Sequence, residues 1–384
     1  YNGSSGFKIG ADAADLIWEK ANQVNVGINA ELFNGRLALS VDGYYQKTSG
    51  LLYNISTLAT TGYTTRTANI GSLENKGLEV MVSGKIFDGP FKWELATNLS
   101  YTKNKLLSLD GVLDMKINGG GANTGKVMHA LMVGKPVSAF YMLRQDGIYQ
   151  TDQEVPSKLY AKGVRAGDCK YFDYNNDGDI TDDDRMYVGK VTPDIYGGIT
   201  STMNWKNFDL SIFCQFAAGG KILSAWKGCG GTEGTEHLGL ASSSIKGYKN
   251  GTLVDSEQFY NISKYAANHY WRGEGTSNTV PRPTLAGTFT GGFGNNLVST
   301  RYLEDASYFK FKTITLGYSL PHSLLSKIHV TGARIFVSLD NFFTLTKYSG
   351  YDPEFSYERN PTGNSYGADF GKQATLKSFI IGAS

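Results

Sequence analysis

The chain has 384 residues, 41% hydrophobic and 13% aromatic, and its 37 Lys and Arg stand against 35 Asp and Glu for a net charge of +2. That balance gives no global pull towards nucleic acid, and no run of 18 apolar residues provides a membrane-spanning helix. Three cysteines are too few for a disulfide framework, while 47 glycines and 24 tyrosines against 9 prolines favour strands and turns.

Residues 1–21 read as loop, with a small helical or strand patch at Ala11–Lys20. The start is not a signal peptide, because it has neither a basic stretch nor an apolar core. Gln23–Leu32 is the first predicted strand. Phe33-Asn34-Gly35 makes a tight turn, and Arg36–Lys47 is the second strand. There Leu37, Leu39, Val41 and Tyr45 alternate with Arg36, Ala38, Ser40, Asp42, Tyr44 and Gln46. A period of two places the two sets on opposite faces. Residues 48–75 read as a long loop with room for a short hairpin.

Gly77–Tyr101 is the clearest hairpin. Leu78, Val80, Val82, Gly84 and Ile86 share one face of its first strand, and Glu79, Met81, Ser83 and Lys85 the other. Asp88-Gly89-Pro90 turns the chain. Phe91, Trp93, Leu95, Leu99 and Tyr101 then share a face against Lys92, Glu94, Ala96, Asn98 and Ser100. The stretch 105–195 contains Gly119-Gly120-Gly121 and three prolines but no long alternating run. Alternation returns at 199–205, turns at Lys206-Asn207 and continues at 208–216. A second excursion covers 217–306. The next strand begins at Phe309 and changes register before Ile314, so a bulge is expected at Lys312 or Thr313. One helical turn is expected at Ser323–Lys327. Ala333–Leu339 forms a further strand, 342–372 is a third excursion, and Phe379, Ile381 and Ala383 mark the last strand.

Short connections at 33–35, 88–90, 206–207 and 321–330 alternate with long ones at 48–75, 105–195, 217–306 and 342–372. Outer-membrane barrels are built this way, with short periplasmic turns and longer extracellular loops. A soluble sandwich has no reason to segregate its connections so strictly. The expected fold is therefore an all-β transmembrane antiparallel barrel. Nine strands is an odd number and too few for loops of this size, so the chain is expected to be part of a larger barrel. Trp93, Trp205 and Tyr101 are expected in the aromatic girdles.

Several stretches carry a family resemblance. They are NIGSLENKGLEV at 69–80, FKWELATNLSYTKNKLLSLDG at 91–111, Gly134-Lys135-Pro136, DGIYQTDQEVP at 146–156 and AGDCKYFDYNNDGDITDDDR at 166–185. TPDIYGGITSTMNWKNFDLSIF at 192–213, RYLEDASYFKFKTITLGYSLP at 301–321 and ARIFVSLDNFFTLTKYSGYDPE at 333–354 complete the set. Spread over nearly the whole chain, they resemble the C-terminal part of the SusC/RagA family of TonB-dependent outer-membrane transporters. The resemblance implies that residues 1–384 are the C-terminal portion of a 22-stranded barrel, with the plug domain, TonB box and early strands outside this chain. It implies a SusD-like surface lipoprotein as lid, energy from the TonB–ExbB–ExbD complex, and import of oligosaccharides ahead of peptides. The final Ser384 departs from the family's usual closing aromatic residue.

The strongest local motif runs from Asp173 to Asp184. Asp173, Asn175 and Asp177 alternate, Gly178 supplies a sharp turn, Asp179 offers its backbone carbonyl, Thr181 sits at a water-mediated position and Asp184 closes the set. This is calcium-loop spacing, and clustered oxygens suit a hard cation. The expected role is a structural Ca2+ clip ordering an excursion with few apolar residues; the bland alternative is an acidic, solvated turn. Asp184 is a methylene shorter than the usual closing Glu, and no flanking helix pair makes a sensor.

Tyr141, Tyr149, Tyr171, Tyr174, Trp226, Tyr270 and Trp271 lie in the excursions, either as platforms for sugar rings or as loop packing. Cys169 and Cys229 lie in loop-like sequence and Cys214 on an apolar strand face; all three are expected unpaired. His129, His237, His269, His322 and His329 are scattered, and no nucleophile or phosphate-loop motif occurs. No enzyme is expected. A passive porin or a structural surface barrel is the remaining alternative.

Overall fold

The computed structural model describes residues 16–56, 65–109, 115–117, 129–229, 239–240, 247–249, 252–254, 263–285, 289–291, 293–326, 329–354, 366–371 and 375–384. The triple glycine at 119–121, His237 and residues 11–15 of the patch at 11–20 lie outside them.

Nine strands form one antiparallel sheet in chain order: β1 Lys20–Leu32, β2 Leu37–Ser49, β3 Ser72–Asp88, β4 Phe91–Ser108, β5 Ile195–Trp205, β6 Phe208–Ala218, β7 Tyr308–Ser319, β8 Arg334–Thr346 and β9 Ser378–Ala383. Each strand pairs with the next, so the sheet is a plain meander. These are the nine segments the alternation marks. β3 and β4 have 17 and 18 residues. A bilayer needs about 9–11 residues per tilted strand, so their upper ends stand above the apolar zone.

Register keeps one kind of side chain on each face. Val41 lies between Ile28 and Val80, and Val80 faces Leu99. On the other face Asp42 lies between Gly27 and Glu79, and Glu79 faces Ser100. The apolar face has no protein cover: Val24, Val26, Ile28, Leu316 and Ile381 are all at least half exposed. Rings gather at the short-turn end, where Phe87 stacks on Trp93 at 6.0 Å and Phe208 meets Tyr318 at 4.7 Å. At the other end Phe216 lies 6.4 Å from Phe309, and Phe311 6.1 Å from Phe343.

The expected bulge is at Lys312, between Phe311 opposite Cys214 and Thr313 opposite Phe213. A second bulge, at Ile86, is not visible in the alternation. It places Phe87, in place of Ile86, opposite Trp93 and so builds the girdle. Phe33, Asn34 and Gly35 all turn with positive φ. Asn207 closes the neighbouring connection by donating to the Ser319 carbonyl at 2.9 Å. The helical turn in the fourth short connection is His322–Leu325. A hairpin of Leu52–Ser56 and Thr65–Asn69 occupies the first excursion.

The later excursions are not loose. They fold together into one lobe with two apolar cores. Phe140 and Met142, from between β4 and β5, pack with Leu223, Cys229, Val298 and Tyr302, from between β6 and β7, and with Ala368, from between β8 and β9. Leu143, Tyr149, Leu159, Val164, Cys169, Tyr171 and Ile180 pack with Phe293 in the second. The expectation that 105–195 lacks apolar residues to order it is thus corrected. Its apolar residues follow no period because their partners come from other excursions.

Candidate functional site

The polar face of the sheet carries a set of fixed side-chain contacts. Tyr44 lies flat across Gly77, where an added Cβ would meet its ring at 2.7 Å. Near the short turns, Arg334 on β8 reaches across β7 to Asp209 on β6, with Nε donating to Oδ1 at 2.9 Å and Nη2 to Oδ2 at 2.5 Å. The pair passes over Gly317, and a side chain there would collide with the guanidinium. Towards the long excursions, a cavity of about 870 Å³ is lined by Asn25, Asp42, Tyr44, Gln46, Asn75 and Glu79, with Ser138 and Thr192 of the excursions folded against it. Asn104 links the two parts, donating to Asn75 Oδ1 at 2.6 Å and accepting from the Val137 N–H at 2.9 Å.

The lobe is locked by a buried ion pair. Asp168 is fully buried and accepts two bonds from Arg282, at 2.8 and 2.9 Å, and one from Asn295 at 3.0 Å. This joins the excursion after β4 to the one after β6. Asn295 Oδ1 also accepts from the Cys169 N–H at 2.8 Å.

The expected calcium loop has its residues brought together around one turn. Asp173 accepts from the N–H groups of Asp177 and Gly178 at 3.2 and 2.8 Å. Asn175 Oδ1 accepts from Asp177 N at 3.0 Å, and Asp177 Oδ1 from Asp179 N at 2.7 Å. Asp179 is held by Lys162, whose ammonium sits 2.6 Å from both its oxygens and keeps the carboxyl below its ordinary range. Thr181 and Asp184 form a capping box; Asp184 is fully buried and accepts from Thr181 N and Tyr174 N at 2.7 and 2.9 Å. Among the described residues no three His, Cys, Asp or Glu side chains are grouped to hold a metal. Lys158 also donates to the Asp177 carbonyl. The loop therefore has an internal bonding scheme of its own, with Lys158 and Lys162 set against its oxygens.

Three of the excursion aromatics follow the loop-packing alternative: Tyr141, Tyr149 and Tyr171 are buried in the lobe, Tyr149 and Tyr171 within its second core. Trp226 donates to Tyr348 at 3.3 Å and Trp271 to Gln150 at 3.2 Å. The Tyr270 ring carries the Arg272 guanidinium, 4.5 Å from its centroid. Burial pushes the Tyr149 hydroxyl up to about 12. Tyr174 is exposed. All three cysteines are buried, and burial raises the Cys229 thiol to about 12.

A nine-stranded meander with an apolar outer face, a polar inner face, ring girdles and strictly alternating connections defines a piece of an outer-membrane barrel wall. Residues 1–211 match the family model "TonB dependent receptor-like, beta-barrel". The chain is 30% identical to TonB-dependent receptor P3 of Formosa agariphila over 96% of its own length and 34% of that protein's. It is 27% identical to TonB-dependent receptor SusC of Bacteroides thetaiotaomicron over 88% of its length and 30% of that protein's. It superposes on the RagAB peptide transporter with a TM-score of 0.69 and 22% identity, over 95% of this chain and 35% of that one. The RagAB peptide importer in its 'closed-closed' state gives 0.69 and 23% over 96% and 35%. The chain belongs to the TonB-dependent receptor family, in its SusC/RagA branch, and its strands are those of an outer-membrane β-barrel wall. It spans about a third of the length of the curated relatives it matches. The expected order of substrates, oligosaccharides ahead of peptides, is corrected: the solved structures that share this fold over nearly the whole chain are of a peptide transporter.

Proposed function

We propose that this chain is part of the wall and surface lobe of a 22-stranded barrel that imports peptides across the outer membrane, energised through TonB–ExbB–ExbD and covered by a SusD-like lipoprotein. The observation that carries the substrate class is the fold likeness to the RagAB peptide importer over 96% of the chain. The open edges of β1 and β9 support the larger barrel, since unpaired strand edges are not tolerated in lipid. The test is uptake of a defined mixture of short peptides by cells carrying the full-length protein, with the TonB box intact or deleted. Uptake that disappears on deletion supports the proposal; a correctly inserted protein that imports no peptide overturns it.

A subordinate proposal is that the loop of Asp173, Asn175, Asp177, Asp179, Thr181 and Asp184 takes Ca2+ as a structural clip. The convergence of Asp173, Asn175 and Asp177 on one turn supports it. Calcium titration of the folded protein and of Asp177→Ala is the test, and equal calcium uptake by both would remove the site.

A further inference from the structure

The last excursion, between β8 and β9, meets the wall at a cluster that the transport reading above does not use. β7 carries Tyr308 and Lys310 on the polar, inner face: they pair with Ala217 and Gln215, whereas Phe309 and Phe311 pair with Phe216 and Cys214 on the lipid face. Lys310 is only 2% exposed. Its ammonium donates to both oxygens of Asp352, at 2.8 and 2.9 Å, and to Glu354. Alternation places Lys312 on the same side, where it donates to Glu354 at 2.8 Å. Tyr308 donates to Glu354 at 3.0 Å and Thr375 to Asp352 at 2.9 Å. Two positive and two negative groups close on one another, and Asp352 also accepts from the Glu354 N–H at 3.1 Å. The segment Asp352-Pro353-Glu354 therefore lies against the inner face of the wall and does not project above it. A cavity of about 240 Å³ is left behind it, lined by Ala217, Tyr308, Pro353, Glu354 and Tyr366, with Val191 of the lobe.

The other end of the same segment is fixed to the lobe. Tyr348 donates to Asp369 at 2.6 Å and accepts from Trp226. Ser349 donates through N–H and hydroxyl to Glu304, each at 2.8 Å, and Glu304 also pairs with Lys227 at 2.9 Å. Between these two anchorages Tyr351 is 81% exposed. One short stretch of chain thus ties the surface lobe to the inner wall.

We propose that Tyr348–Glu354 is a strap that narrows the mouth of the barrel from its inner side, with Lys310 and Lys312 as its catch and the Glu304 contacts as its hinge. Opening the catch frees the strap from the wall and widens the mouth, while the hinge keeps it on the lobe. Buried charges make such a catch all-or-none, because a charge that loses its partner there is left desolvated. The inference rests on the transport reading only for its second measurement.

The first measurement uses the full-length transporter in liposomes, spin-labelled at Tyr351→Cys and at Ser40→Cys on the opposite part of the wall, because the three native cysteines are buried. A narrow distance distribution is expected for the parent, and a broad, longer one for the double variant Asp352→Asn with Glu354→Gln, which removes both carboxylates that hold Lys310. Lys310→Met removes the ammonium in place of its partners and should broaden the distribution in the same way, which guards against simple misfolding of either variant. The second measurement compares uptake of a tripeptide with that of a dodecapeptide, and the ratio is expected to shift several-fold towards the longer peptide in the variants. Unchanged distance distributions in folded variants overturn the strap. Changed distances with no peptide uptake by any form overturn the peptide reading and leave the strap standing.

Discussion

The wall and the lobe are held together by opposite means. Among the described residues, only Leu106 and Cys214 of the buried hydrophobic side chains belong to the nine strands; the rest lie in the connections and in Ile70 and Leu109 at their borders. The wall has its backbone ladder and two bare faces, one for lipid and one for the lumen. The lobe has almost no long ladder but encloses Phe140, Met142, Leu159, Leu223 and Tyr302 almost completely. A soluble protein needs a core to fold. A membrane wall replaces it with solvent of two kinds, and its connections, returned to water, must build the core that the strands do not.

The comparison breaks most sharply at polar substitutions. Val80→Arg on the lipid face is expected to cost about 2–4 kcal/mol if it lies near the bilayer midplane, whereas Met81→Arg, one residue on and facing the lumen, should cost almost nothing. Urea titration of the refolded barrel in liposomes reads both, and equal costs would contradict the face assignment.

In the lobe the largest effect should come from Arg282→Ala. It leaves Asp168 buried without its main partner, which costs about 3–5 kcal/mol. Hydrogen exchange should show the segments 143–180 and 293–302 losing protection while β1–β4 keep theirs. Loss of protection in both regions would mean that wall and lobe do not fold as separate units.

A smaller effect is expected at Gly317→Ala. The new methyl group displaces Arg334 from Asp209 and overpacks the inner face, at about 1–3 kcal/mol. The thermal midpoint of the barrel should fall, and Gly317→Ala combined with Asp209→Asn and Arg334→Gln should fall no further than the charge variants alone.

The smallest effect is one of pH. Lys162 holds Asp179 below its ordinary range, so this contact is fully present above the usual carboxylate pKa and is lost as pH falls through the depressed value. Exchange protection of residues 177–181 should decline on acidification in the parent and be flat in Lys162→Met. The pair is only partly buried and still reached by solvent, so its weight in overall stability is small.

Much of the wall was legible in the sequence because a strand writes its faces into every second residue. Leu37, Leu39 and Val41, and later Phe208, Leu210 and Ile212, state the register directly, and the change of phase after Phe311 states the bulge at Lys312. The bulge at Ile86 escaped because Ile86 and Phe87 are both apolar, so neither phase looks wrong. The lobe escaped for a different reason. Met142 meets Leu223 and Ala368, which lie in two other excursions, and no local period records such a meeting. Separation along the chain likewise hid the Asp168–Arg282 lock and the strap on Lys310. The Asp173–Asp184 loop was legible as a turn through its Asn-Asp-Gly chemistry, and the positions of Lys158 and Lys162 were not, because they come from upstream, 19 and 17 residues from their respective partners, and meet the loop only through the packing of the lobe.

The central claim is that the two faces of this sheet meet lipid and water respectively. Single cysteines placed in turn at Leu95, Ala96, Thr97, Asn98, Leu99 and Ser100 of β4, spin-labelled in the full-length protein in a bilayer, test it most directly. Oxygen accessibility should be high at positions 95, 97 and 99, and accessibility to a water-soluble nickel chelate should be high at 96, 98 and 100 or blocked there by protein. Accessibility that fails to alternate, or that places the labels at Ala96 and Asn98, on either side of Thr97, in lipid, would contradict the account.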